Sequence, residues 1–164
     1  MKIKLYNIND DYIESISEID SKIAFAKTDS RSQARKYIGI VLEINGLKYF
    51  ANLSSYKPYK HDNMTEKVDF VKIGRYAVVN LNNMLPVPEG EYFYVNFNNI
   101  KDKNYVNLLR NEYRIILKKS EKIIRNANIV YKHKIENGND TPLARRCCDF
   151  LRLEKFAVCY KSER

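Results

Sequence analysis

Residues 37–53 read YIGIVLEINGLKYFANL and predict a β-hairpin. Two runs rich in β-branched and aromatic residues flank Asn45-Gly46, and both positions of that pair tolerate the positive φ angles of a two-residue turn. The returning strand ends in Ser54 and Ser55. The hairpin therefore brings two hydroxyl groups to the end of a strand.

Around the hairpin, the first half of the chain is rich in strand patterns. Alternation at 2–6 predicts a first strand, and Asn9 is placed to cap a short helix that follows it. Residues 21–36 are polar and aperiodic, which predicts a loop. Further strands are expected at 68–73, 75–81, 84–87 and 91–95. Pro86 and Pro88 lack the amide proton of a sheet ladder and mark a bend or a sheet edge.

The second half changes to a helical period. Apolar side chains recur on one face from Tyr105 to Ile116 and again from Ile123 to Tyr131, with a break expected near Ser120. A stop signal stands at 137–139, and Thr141 precedes a proline at the first position of a last helix. That helix is expected to bury Leu143, Cys147, Phe150, Leu151 and Val158. The prediction is an α+β fold in one domain spanning 1–164.

Composition excludes several classes of protein. The 164 residues carry 29 Lys+Arg against 20 Asp+Glu, a formal charge of +9, so the expected partner is acidic. No apolar run approaches the ~18 residues of a membrane span, and three cysteines do not make a disulfide framework, so we expect a reduced, cytosolic protein. His61 and His133 lie outside any metal-ligand spacing, and five glycines form no phosphate loop. The sequence thus predicts neither a metal nor a cofactor.

The positive charge is concentrated in residues 101–134, which contain ten Lys and Arg residues but only three acidic residues, Asp102, Glu112 and Glu121. A basic stripe on a helical segment is typical of a surface that binds a phosphate backbone. A solvated helix face has the same composition, so charge alone leaves both interpretations open.

Residues 53–61 read LSSYKPYKH and gather hydroxyl, ammonium, aromatic and imidazole groups directly after a strand. Ser55, Lys57 and Tyr59 would share one side if the strand continued, although Pro58 ends regular pairing. Serine and lysine can orient a phosphate and stabilise its developing charge, and tyrosines can stack on bases. An ordinary polar loop on a basic protein would read the same way.

The hairpin and its continuation resemble the ToxN/AbiQ family of type III toxin–antitoxin systems. Members carry a similar hairpin pattern, IGIVLEI-x-G-x-KY, followed by L-[ST]-S-x-K, which is matched at residues 38–57. Residues 80–88, NLNNMLPVP, and 148–154, CDFLRLE, resemble two further family segments in the same order. The resemblance covers most of the chain.

This resemblance implies a sequence-selective endoribonuclease that is inhibited by a small, repeated RNA antitoxin, which it also processes. It implies metal-free cleavage that leaves a 2′,3′-cyclic phosphate and a 5′-hydroxyl. The implied fold is a strongly twisted antiparallel sheet with surrounding helices, similar to MazF/Kid-type toxins. It further implies closed protein–RNA assemblies in the bacterial cytoplasm and, in several systems, abortive phage infection.

Carried over residue by residue, the resemblance assigns the catalytic pair of the family to Ser54 and Ser55 and its lysine to Lys57. The upstream basic residue falls on Arg35, with Lys36 beside it, where other members have Lys. An arginine would still neutralise a phosphate but could not readily give up a proton. Tyr59 stands where the family has a tryptophan.

The expected mechanism is an in-line attack by the ribose 2′-hydroxyl on the adjacent phosphate. Lys57 and Arg35 (or Lys36) would take the phosphate charge, Ser55 would hydrogen-bond the reacting centre, and Ser54 would orient its neighbours. Unperturbed, His61 titrates near 6.5, which suits a general base. The expected RNA contacts are Tyr59, Lys60, His61, Lys118, Lys119, Lys122 and Arg125.

Two other functions are compatible with the residues alone. A non-catalytic RNA-binding module would keep the basic surface and the tyrosines without cleaving. A DNA-binding regulator would need a recognition helix, and no signature of one is present.

Overall fold

The computed structural model describes residues 3–23 and 36–160 and has an α+β architecture. Its strands are β1 (Lys4–Ile8), β2 (Lys36–Ile44), β3 (Leu47–Ser55), β4 (Phe70–Ile73), β5 (Ala77–Val87) and β6 (Tyr92–Tyr94). Its helices are α1 (Asp10–Ser17), α2 (Pro58–His61), α3 (Lys103–Lys118), α4 (Ser120–Asn137), α5 (Pro142–Arg146) and α6 (Phe150–Cys159), with a 3-10 turn at Phe97–Asn99. No helix in the described ranges is long and apolar enough to cross a membrane.

The predicted hairpin forms the centre of an antiparallel sheet with strand order β4-β5-β3-β2-β1-β6. Asn45 and Gly46 adopt φ angles of 51° and 79°, as the two-residue turn requires. Pairing runs from Ile44 opposite Leu47 down to Lys36 opposite Leu53. Lys36 therefore lies in the first position of β2 and not in the predicted loop; residues 24–35 of that loop lie outside the described part of the chain.

Strand β5 corrects the prediction of two strands at 75–81 and 84–87, since it runs unbroken through both. Pro86 is tolerated because β4 pairs with β5 only between Ala77 and Asn80. Beyond that point the described partner of β5 is β3 alone. The prediction that Pro86 marks a sheet edge is confirmed in this local sense.

The helical half follows its sequence signals, with one error. The break at Ser120 is confirmed between α3 and α4, and Gly138 ends α4 with φ 57°. The Thr141 hydroxyl accepts the amide of Ala144 and caps α5. The predicted burial of Leu151 and Val158 is wrong, since they are 51% and 71% exposed. The expected single helix is divided at Cys147 and Cys148, and α6 begins separately at Phe150, so a different set of its side chains faces the core.

The core lies where α4 and α6 pack against the central strands. Tyr49 of β3 and Tyr131 of α4 both donate hydrogen bonds to the buried Glu154 carboxylate of α6, at 2.6 and 2.7 Å. Phe150 stacks on Tyr131 in the same cluster. This packing anchors β3 near its first residues, and Ser55 lies at the other end of the strand.

Candidate active site

A cavity of about 450 Å³ opens at the Ser55 end of the hairpin, between the sheet and helix α3. That volume lies within the ~300–1,000 Å³ range of small-ligand pockets. Its wall is formed by Lys36, Leu53, Ser54, Ser55, Lys57, Lys60, His61, Val78, Asn80, Tyr105, Leu108, Leu109 and Glu112.

The two serines are the last residues of strand β3, and both line the cavity. The Asn52 side-chain amide donates a hydrogen bond to Ser54 Oγ at 3.0 Å. Because that oxygen already accepts one bond, the Ser54 hydroxyl proton remains available to a ligand. The hydroxyl pair can therefore donate to an anion held at the end of the strand.

Lys57 and His61 are fixed to each other by the short helix α2. Lys57 precedes the helix, Pro58 occupies its first turn, and the amide of His61 donates to the Lys57 carbonyl at 2.7 Å. The Lys57 amide in turn donates to His61 Nδ1 at 2.8 Å. The His61 side chain thus accepts a hydrogen bond that fixes the backbone of Lys57 beside the cavity.

His61 is a neutral imidazole at pH 7. It is 5% exposed, and burial, with the nearby Lys60 and Lys57 ammonium groups, lowers its pKa from the ordinary 6.5. Since Nδ1 accepts the Lys57 amide, the remaining ring proton lies on Nε2. In this arrangement His61 offers the cavity a hydrogen-bond donor and no lone pair.

Lys36 approaches the cavity from β2, where it lies opposite Leu53, the residue before the serines. Its ammonium group donates to Asn7 Oδ1 at 2.9 Å and lies 5.8 Å from the centre of the Tyr105 ring. Only 9% of Lys36 is exposed, and burial lowers its pKa. Among the described carboxylates none forms an ion pair with Lys36, Lys57 or Lys60, so their charge is available to a phosphate.

The sequence that builds this cavity matches a known family. Residues 4–158 match the model of the toxin ToxN of type III toxin–antitoxin systems. The chain belongs to this family.

Relatives of this ToxN-family chain include two proteins named as endoribonucleases. Endoribonuclease ToxN of Bacillus thuringiensis subsp. kurstaki is 31% identical over 96% of this chain and 84% of that protein. Endoribonuclease AbiQ of Lactococcus lactis subsp. lactis is 27% identical over 99% of this chain and 92% of its own length. The resemblance inferred from the hairpin and its continuation is confirmed.

Two solved structures share the fold. One comes from work on selective toxin inhibition by a non-coding RNA pseudoknot in type III systems; it is 27% identical, covers 100% of both chains and gives a TM-score of 0.81. The other is AbiQ, a lactococcal anti-phage endoribonuclease of a type III system, at 25% identity, 98% coverage of both chains and a TM-score of 0.81. The antiparallel sheet with surrounding helices is therefore the architecture of the ToxN/AbiQ toxins.

Of the predicted catalytic residues, the structure brings Ser54, Ser55, Lys57 and Lys36 to one cavity. Arg35 lies outside the described residues. Lys60 and His61, predicted to contact RNA, also line the cavity, whereas Tyr59 points away and is 81% exposed. Tyr59 leaves the side shared by Ser55 and Lys57 because β3 ends at Ser55 and α2 turns the chain.

The four basic residues predicted on the helical stripe have unequal surroundings. Lys119 and Lys122 both form ion pairs with Glu66, at 3.2 and 3.1 Å. Lys118 and Arg125 are exposed, and no described carboxylate lies within ion-pair distance of either. Contact of these four residues with RNA remains a prediction. Lys118 and Arg125 are more available to RNA than Lys119 and Lys122, which are paired with Glu66.

The site residues predicted from the sequence did not include Glu112, which lines the cavity. Its carboxyl group lines the cavity at 6% exposure, and burial raises its pKa to about 7. A signal was present: Glu112 stands three residues after Leu109 and four before Ile116, within the apolar stripe of α3. A carboxylate at a buried helical position is rare without a partner, and that rarity marks it.

Proposed function

We propose that this chain is a sequence-selective endoribonuclease toxin that cleaves RNA without a metal ion, leaving 2′,3′-cyclic phosphate and 5′-hydroxyl ends. The observation that carries the proposal is the convergence of Ser54, Ser55, Lys36 and Lys57 on one cavity in a ToxN-family fold. These groups suit the transition state, in which negative charge grows on the phosphate as the 2′-hydroxyl attacks.

Each residue has a separate role in this mechanism. The Lys57 and Lys36 ammonium groups, with Arg35, neutralise the phosphate oxygens, and Ser55 donates a hydrogen bond to the reacting centre. Ser54, held by Asn52, orients the neighbouring groups. No serine acts as a nucleophile, because the ribose supplies the attacking oxygen.

The inhibitor in this proposal is a small RNA of repeated, folded units that the toxin itself processes. Related type III toxins are inhibited by a non-coding RNA pseudoknot, and the exposed Lys118 and Arg125 offer contacts for such an RNA. We place toxin and RNA in a closed assembly in the bacterial cytoplasm, with cellular or phage RNA as substrate. Tandem short repeats directly upstream of the gene would support this partner.

We also propose that the sheet is strongly twisted and is similar to the sheet of MazF/Kid-type toxins. The antiparallel sheet with flanking helices in a ToxN/AbiQ architecture is compatible with the twisted sheet of MazF/Kid-type toxins. Superposition of this chain on a MazF-type toxin would test the likeness, with overlap of β2, β3 and β5 as the expected result.

A cleavage assay in EDTA with analysis of both RNA ends tests the function. Wild-type protein is expected to cut a defined transcript, and Ser55→Ala and Lys57→Ala are each expected to cut it roughly 100-fold more slowly. Lys155→Ala, at an exposed position of α6 outside the basic stripe, is the matched control and should keep the wild-type rate. Tight RNA binding without cleavage by the wild type would instead identify a non-catalytic RNA-binding module.

A further inference from the structure

Helix α3 presents one acidic side chain to an otherwise cationic cavity. Glu112 lines the wall that also carries Lys36, Lys57 and Lys60, and only 6% of it is exposed. Within residues 3–23 and 36–160 no group donates a hydrogen bond to its carboxylate and no cation pairs with it. Most of the residue is buried without a partner, which disfavours its charge, while its oxygens are not among the fully buried unpaired atoms and reach the cavity.

The nearby histidine cannot readily take a proton from the substrate. Its Nδ1 lone pair is occupied by the Lys57 amide at 2.8 Å, and its Nε2 carries the remaining proton. To act as a base, His61 would have to break the bond that holds Lys57. Among the described residues that line the cavity, Glu112 is the one carboxylate, and no described group donates a hydrogen bond to its oxygens.

We propose that Glu112 is the general base that removes the proton from the attacking ribose 2′-hydroxyl. The proposal rests on the endoribonuclease function given above and adds the proton acceptor that the serines and lysines do not supply. It assigns α3 a part in catalysis beyond closing one side of the cavity.

The 2′-hydroxyl proton passes to a Glu112 carboxylate oxygen while the bond from the 2′-oxygen to phosphorus forms. The bond from phosphorus to the 5′-oxygen breaks, and that oxygen takes a proton from a cavity ammonium group such as that of Lys57. Solvent then removes the proton from Glu112 and restores the ammonium group, with no oxidant or reductant involved.

The surroundings of Glu112 suit proton exchange at neutral pH. Burial raises its pKa to about 7, so the carboxyl group binds and releases a proton in the physiological range. Tyr105 of the same helix also lines the cavity, and burial together with the Glu112 charge raises the pKa of its phenol. Several other charged or titratable side chains face the cavity or lie on elements packed against α3. They are Lys36 of β2, Lys57, Lys60 and His61 around α2, Lys72 of β4, and Lys119 and Lys122 beside Glu66.

The test compares pH–rate profiles of wild type, Glu112→Gln and Glu112→Asp on one transcript that the wild type cuts. The wild-type rate is expected to rise with pH up to about 7 as Glu112 ionises. Glu112→Gln should cut roughly 10²–10⁴-fold more slowly and lose that acidic limb. Glu112→Asp keeps a carboxylate and should retain part of the rate together with the limb.

Controls separate catalysis from folding and from substrate choice. Glu43→Gln removes an exposed carboxylate from β2 and should leave the profile unchanged. A Glu112→Gln protein that unfolds normally yet cuts at the wild-type rate, or keeps the acidic limb, would overturn the base assignment alone. So would a changed cleavage sequence with the limb intact. Failure of the wild type to cleave would overturn the proposed function, and the base assignment with it.

Discussion

The cavity lysines differ in electrostatic surroundings from three lysines of the α3–α4 stripe, Lys119, Lys122 and Lys134. In the cavity, Lys36, Lys57 and Lys60 have no described carboxylate within ion-pair distance. On the stripe, Lys119 and Lys122 share the carboxylate of Glu66. Lys134, at the C-terminal end of the stripe, is buried and donates to three acceptors of its own chain at 2.8–2.9 Å.

The difference shows that local excess charge is not the same as charge available to a ligand. Residues 101–134 hold the larger number of cations, but several of them neutralise an internal carboxylate or satisfy carbonyl groups. An ammonium group without a counter-ion interacts more strongly with an incoming phosphate than one already paired, and burial strengthens this further for Lys36. The smaller group of cations is therefore the one with the larger predicted effect on phosphate chemistry.

Between the two groups of lysines, the larger effect is expected from removal of a cavity charge. Lys36→Met keeps the hydrocarbon stem beside Tyr105 but removes the ammonium group, so cleavage should slow roughly 100-fold with folding preserved. Single-turnover cleavage rates measure this effect, with Lys48→Met, at a position where the lysine pairs with the exposed Glu89, as the matched control. An unchanged rate in Lys36→Met would transfer the phosphate role to Arg35.

A smaller effect is expected on stability from the buried carboxyl group of the cavity. The folded pKa of Glu112, about 7, lies above its ordinary value of 4.5, so unfolding releases a proton between those two values. Glu112 therefore destabilises the fold increasingly as pH rises from 4.5 to 7 and fully above 7. Glu112→Gln should raise the free energy of unfolding at pH 8 by on the order of 2 kcal/mol and change it little at pH 4.

Urea unfolding at the two pH values measures this difference directly. Glu43→Gln, at an exposed position, should show no such dependence. Equal stabilisation by Glu112→Gln at pH 4 and pH 8 would mean that a packing change, and not the carboxylate charge, is responsible.

The hairpin and the serine pair could be predicted from the sequence because local signals determine them. Asn45-Gly46 requires one type of turn, and that turn fixes which residues of β2 and β3 face each other. The position of Ser55 follows from the length of β3. Neither prediction needed a contact from a distant part of the chain.

The missed features depend on contacts between distant parts of the chain. Glu66 is far in sequence from Lys119 and Lys122, so the stripe reads as unopposed charge until β4 packs beside α3. Glu112 reads as one acid among many basic residues until α3 is placed over the serines. The exposure of Leu151 likewise depends on where α6 begins, which is set by its Asp149 cap after the buried cysteines.

The smallest effect is expected from the stripe, where the salt dependence of antitoxin binding separates its two pairs of cations. Replacing Lys118 and Arg125 together with Gln should lower the slope of log K against log salt concentration by about 1.4–1.8, since each phosphate contact contributes ~0.7–0.9. Replacing Lys119 and Lys122 should change the slope less, because Glu66 already neutralises part of their charge. Glu66→Gln releases both lysines and should bring the effect of removing them up to that of the exposed pair. Filter binding to one antitoxin repeat from 50 to 300 mM salt measures all three; an unchanged slope in the Lys118 and Arg125 double variant would remove the stripe from the RNA interface.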